Sequence, residues 1–148
     1  MKKTLVTMIL LSSKIWAVQC YFTIAKSPCW KDYDIDVTLV DMKKQQEAQK
    51  IRVPKDRLYN RANFECSPAE VFSAYAEFLP VVWDQDKGKK YPGVRFWAMP
   101  ESSPRSGAVW EINICYPGHF SGLPLPKSDV RDCGCDFSQI PAIENQNK

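Results

Sequence analysis

Histidine, cysteine and paired carboxylates carry most acid, base, nucleophilic and metal chemistry, and this chain holds 1 histidine, 6 cysteines and 17 acidic residues. His119 lies in Tyr116-Pro117-Gly118-His119-Phe120, where a Pro-Gly turn places it on a surface loop. As the base of a cysteine nucleophile it would need a free thiol, and an even set of cysteines in an exported chain leaves none. As the base of a serine it would need a G-x-S-x-G elbow, and Ser121-Gly122 beside it is only a turn. The acidic residues show no spacing that singles out a catalytic pair. The inventory predicts a protein that is not an enzyme.

No metal or other cofactor is expected. Cys133-Gly134-Cys135 is a C-x-C, not the C-x-x-C of a zinc knuckle, and one histidine cannot complete a set of ligands. Asp84-Gln85-Asp86-Lys87-Gly88 has the look of a calcium loop, but lysines follow and Arg95 stands where the closing glutamate belongs. It reads as a solvated hairpin tip.

The cysteines have a structural use instead. Cys20, Cys29, Cys66, Cys115, Cys133 and Cys135 read as three disulfides of an exported protein, with the connectivity open. In an extended C-x-C the two side chains project to one side about 6–7 Å apart. A disulfide brings its Cβ atoms to roughly 4 Å, so Cys133 and Cys135 are expected to bond to two different partners.

Aromatic side chains are the remaining candidates for function. Trp110 shares a face with Ile112 and Ile114 and is assigned to the interior. In Val94-Arg95-Phe96-Trp97-Ala98, Trp97 falls on the face of Arg95, opposite Val94 and Phe96, and is either the exposed tryptophan or packed under the Pro100 to Gly107 loop. Trp97, Tyr91, Arg95 and Trp83 are therefore the binding candidates, able to stack on a sugar ring or anchor a partner protein.

These residues need a scaffold, and its centre is the apolar run Cys66 to Trp83. With a period of two, Phe72, Ala74, Ala76, Phe78 and Val82 share one face while Ser73, Tyr75 and Glu77 share the other. A helical period also fits, with Ser67 to Glu70 resembling a capping box, so a short helix near 68–79 is the alternative. The strand is preferred because Pro80 pushes Leu79 out of helical geometry and the neighbouring segments have strand character. Those are Cys20 to Ala25, Tyr33 to Val40, Lys50 to Val53, Ala62 to Cys66, Val94 to Ala98 and Ala108 to Tyr116. Asp41 to Lys50 is polar on every side and reads as a connection. About seven short strands with proline-rich turns predict an all-β, antiparallel sandwich, stapled by disulfides.

Residues 1–17 have the basic start, short apolar run and small final residue of a signal peptide. The run Leu5 to Leu11 falls far short of the roughly 20 apolar residues a membrane span needs. One domain is expected over 18–143, with a disordered tail over 144–148. Lys2, Lys3 and Lys14 account for the formal charge of +3, so the remainder is neutral. A neutral chain has no counterion-release term for nucleic acid and no polybasic cluster for lipid. The sequence predicts a non-catalytic exported interaction domain, periplasmic or extracellular, whose partner is a protein; the alternative is a carbohydrate-binding module.

Overall fold

The computed structural model describes residues 17–105 and 108–144. The expected signal peptide over 1–17 and disordered tail over 144–148 lie mostly outside the described residues. The chain forms eight strands: β1 (Val18–Lys26), β2 (Asp34–Asp41), β3 (Gln46–Val53), β4 (Tyr59–Cys66), β5 (Val71–Leu79), β6 (Tyr91–Pro92), β7 (Trp97–Ala98) and β8 (Trp110–Tyr116). Short 3-10 turns occupy Pro28–Trp30 and Asp84–Asp86. The strands make a three-stranded sheet in the order β4-β1-β8 and a second sheet in the order β3-β2-β5-β6, with β7 also on β5. The fold is an all-β sandwich. Its pairing is antiparallel except between β1 and β8, which run parallel.

The period-two reading of the central run holds. Phe72, Ala74, Ala76 and Phe78 are all buried, and β5 is hydrogen-bonded to β2 on one side and to β6 and β7 on the other. The capping-box residues ahead of it close a turn, not a helix. Glu70 accepts the Ser67 N–H at 2.7 Å, the same side-chain bond a helix start would use, but Ala69 sits at φ 62°. A left-handed residue there ends any helical continuation.

Four readings are corrected. The polar segment Asp41 to Lys50 is a connection only around Met42 to Gln45, because β3 begins at Gln46. Strand β3 lies at a sheet edge, where its first half, Gln46 to Lys50, buries no residue and shows no alternation, while Ile51 and Val53 enter the core. The segment Val94 to Ala98 is not one strand, since only Trp97–Ala98 pairs with β5. Trp110 is half-buried against the core and not inside it, although Ile112 and Ile114 are fully buried as expected. Val82, likewise, is only partly buried, since β5 ends at Leu79.

Trp30 is the hub of the core. Its ring centroid lies 5.0 Å from those of Tyr33, Phe78 and Tyr116, and Phe78 in turn stacks on Tyr91 at 5.5 Å. At the same end Lys26 is buried, its ammonium donating to the carbonyls of Tyr33 (2.9 Å) and Pro54 (2.7 Å). Burial lowers its pKa to about 8, against the pull of Asp34, Asp56 and Asp32. The disulfides are Cys20–Cys66, joining β1 to β4, Cys29–Cys133 and Cys115–Cys135. Cys133 and Cys135 thus take different partners, and together they fix a tail that has no strand or helix of its own.

Two expectations follow from this packing. Phe78→Ala should lower stability by about 3–5 kcal/mol in denaturant titration, whereas Phe96→Ala, at an exposed site, should change it by less than about 0.5 kcal/mol. Thiol titration of the unreduced, denatured protein should find no reactive thiol, and reductant should lower the melting temperature sharply, since each bridge is worth about 2–4 kcal/mol.

Candidate functional site

The four binding candidates are not brought together. Tyr91 is 2% exposed and Trp97 6% exposed, both within the core, while Trp83 is 62% exposed ahead of the Asp84–Asp86 turn. Register explains the inversion. Tyr91 lies opposite Ala76 and Trp97 opposite Phe72, and residues directly opposite on a sheet share a face. From position 91 to 97 the chain uses two more residues than β5 uses from 76 to 72, and the excess bulges outward. Val94 and Phe96 are left in solvent at 59% and 63% exposure. Arg95 stays at the surface with its guanidinium 5.3 Å from the Trp97 ring centroid, covering the indole whose exposure the sequence pattern left open. A stacking platform of Trp97, Tyr91 and Trp83 does not form.

The bulge is anchored at its start. Gly93 N–H donates to the Ala74 carbonyl at 2.8 Å, and a Cβ on Gly93 would stand 3.0 Å from that oxygen, so only glycine makes the approach without displacement. Val94 N–H then donates to the His119 carbonyl at 2.9 Å, which ties the second sheet to the loop after β8.

His119 is the element that sequence reasoning placed too simply on a surface loop. It is partly buried, its ring centroid 6.0 Å from that of Trp97. Its Nδ1 accepts the Cys115 N–H at 3.0 Å, and its own N–H donates to the Cys115 carbonyl at 2.9 Å. The residue therefore completes both outward main-chain groups of Cys115 as a neighbouring strand would. Burial, helped by the charge of Arg95, lowers the imidazole pKa and so favours the neutral ring. The local signal in the sequence was the Pro-Gly turn that folds His119 back on Cys115.

Other ionisable groups are held in structural bonds. Asp36 receives two bonds from Arg52 at 2.6 and 2.7 Å, which hold its carboxyl below the usual range. Burial of Asp41 opposes ionisation, but the backbone N–H and ammonium of Lys44, with the Lys43 N–H, outweigh it and lower its pKa. A cavity of about 290 Å³ opens between the sheet and the 81–89 loop, lined by Asp34, Asp36, Lys50, Glu77 and Lys87 among others. Its charges face one another across the floor, with Lys50 Nζ 3.7 Å from Asp36 and 3.9 Å from Glu77. Among the described residues no group of three or more His, Cys, Asp or Glu is placed to hold a metal ion. Asp84 to Gly88 forms a turn in which Asp86 N–H donates to the Trp83 carbonyl at 2.9 Å. No described helix is long and apolar enough to cross a membrane.

No protein family matches this chain. Comparison with curated proteins and with solved structures returns no similar protein either. The surface features above are thus the only guide to what the domain does.

The depressed pKa of His119 has a measurable consequence. Its folded pKa lies below its unfolded value, so the unfolded chain binds the proton first and stability is lost as pH falls below about 6.5. Protonation also removes the acceptor that Cys115 N–H uses. Denaturation midpoints should fall between about pH 7 and pH 5 in the native chain, and the slope should flatten in His119→Asn, whose side-chain oxygen can accept the same N–H without titrating. Asp36 and Asp41 lose their contributions only below about pH 4, outside that window.

Proposed function

We propose that this chain is a non-catalytic binding domain of an oxidising compartment, periplasmic or extracellular, that acts by holding another protein. The observation that carries the reading is the two-residue bulge between β6 and β7, which projects Val94 and Phe96 into solvent from a backbone anchored at Gly93. Large apolar side chains held out on a rigid support are what a protein partner buries at the centre of an interface. The three disulfides accord with an oxidising environment. The lone histidine and the strongest carboxylates are engaged in structural bonds, which accords with a domain that binds and does not transform its ligand. An accessory subunit of an envelope or surface assembly, an adhesin-like module and a secreted inhibitor all fit this description. A carbohydrate-binding role is the second reading, favoured by the exposure of Trp83, a ring able to stack on a sugar.

Photocrosslinking decides between them. With p-benzoylphenylalanine in place of Phe96, the oxidised chain should crosslink a discrete protein from envelope or extracellular extract, and excess unlabelled oxidised chain should compete it away. No competed product at Phe96, together with glycan-array binding that quenches Trp83 fluorescence and is lost in Trp83→Ala, would replace this reading by the second.

A further inference from the structure

Strand β8 is the edge of its sheet, with β1 as its one strand partner. The N–H and C=O of a strand residue turn to one side, and the side alternates along the chain. The Tyr116 carbonyl accepts from Ser27 N–H at 2.8 Å on the β1 side, whereas both main-chain groups of Cys115 point the other way, to His119. Glu111 and Asn113 share the parity of Cys115. Their N–H and C=O therefore point away from β1, and among the described residues no hydrogen bond reaches those groups.

We propose that this open edge takes up one extended peptide strand of a partner protein, paired beside β8 across Glu111 and Asn113. The assignment rests on the protein-binding reading above and names how that binding occurs. Two outward residues about 6–7 Å apart present the donor and acceptor spacing of a strand and of no small ligand. Past them, on the bulge tied to His119, Val94 and Phe96 offer apolar contact to alternate side chains of the incoming strand. The edge also lacks the devices that turn strands away, since β8 contains neither lysine nor proline. Its one charged side chain, Glu111, is occupied by Thr23 (2.6 Å) and Arg61 (3.0 Å). A second copy of this chain is a poorer occupant. His119 closes the edge at Cys115, so either occupant pairs only over Glu111 to Asn113, but a second copy must also bring its own sheet alongside, whereas a free peptide needs no sheet behind it.

Amide hydrogen exchange on the full oxidised chain tests the edge directly. In the free protein the amides of Glu111 and Asn113 should exchange rapidly while those of Ile112, Ile114 and Cys115 are protected. Equal protection of all five would mean the edge is already covered and would overturn the proposal. Selection of a displayed library of random dodecapeptides on the oxidised chain should then enrich sequences that alternate apolar and polar residues. A synthesised winner should slow exchange at Glu111 and Asn113 and bind Asn113→Ala as it binds the native chain. It should bind Asn113→Pro at least about tenfold more weakly, because proline removes an outward N–H that β1 does not use. Failure to enrich any peptide, protection elsewhere, or unchanged affinity for Asn113→Pro refutes strand addition. Protection that rises with protein concentration alone refutes it in favour of self-association. The wild-type exchange result stands even where the proline variant fails to fold, and crosslinking at Phe96 still decides the broader protein-binding reading in each case.

Discussion

The register of β5 is the constraint on which the sandwich depends. Its ladder with β2 runs unbroken from Asp34 opposite Leu79 to Asp41 opposite Phe72. A slip of one residue would carry Tyr75 and Glu77 into the core and Phe72 and Phe78 out of it, so the buried face locks the pairing. Once locked, it dictates the other side of the strand. Ala76 places Tyr91 on the core face and Phe72 does the same for Trp97. The alternation of large and small along β5 is part of the fit: Ala74 and Ala76 leave the volume that the stacked rings of Phe78 and Tyr91 and the hub at Trp30 fill.

The rest of the chain is held to this core by bonds of a different kind. The tail after Pro117 contributes no strand, yet Cys133 and Cys135 fasten it to the Pro28–Trp30 turn and to β8. Arg61 extends from β4 to the Pro141 carbonyl at 2.8 Å, and Thr23, on the outward side of β1, is fully buried. The bridge between Cys29 and Cys133 spans 104 residues, a closure whose entropic effect on the unfolded chain is large. Beyond Phe120 and Leu123, which pack on the core, the tail thereby becomes part of the fold through its bridges.

What was legible in the sequence is what a buried face writes into it. Strands β2, β5 and β8 each have one face inside, and their alternation showed it. The C-x-C geometry likewise showed that its two cysteines must part. Strand β3 was illegible between Gln46 and Lys50 because an edge strand can be polar on both sides. The helix start was misleading for a local reason, since the Ser67 to Glu70 bond serves a turn as well as a cap. Trp97 failed for a non-local one. Assigning Val94 and Phe96 to the interior is sound for a continuous strand, but the bulge exists only because Gly93 and Val94 find partners at Ala74 and His119, contacts that no window of neighbouring residues contains.

Sheet edges are where a sandwich of this size is most open to other chains, and each edge here is treated differently. Strands β3 and β4 close on one another, Asn60 donating to the Arg52 carbonyl at 2.8 Å and Gln49 to the Asn63 carbonyl at 3.0 Å. Strand β6 is tethered to the loop after β8 through Val94 and His119 and through Ser121 and Pro92. Strand β8 keeps the outward groups of Glu111 and Asn113 without a protein partner among the described residues, and the length of that open stretch is set by one side chain. His119 imitates a strand at Cys115, using a backbone donor and a ring acceptor together. The acceptor exists only in the neutral imidazole, a form that burial and the charge of Arg95 favour. The end of the edge is therefore tied to the protonation of a single histidine: a protonated His119 would release the Cys115 N–H on the same side as Glu111 and Asn113, while the Cys115 carbonyl stays held by the His119 N–H.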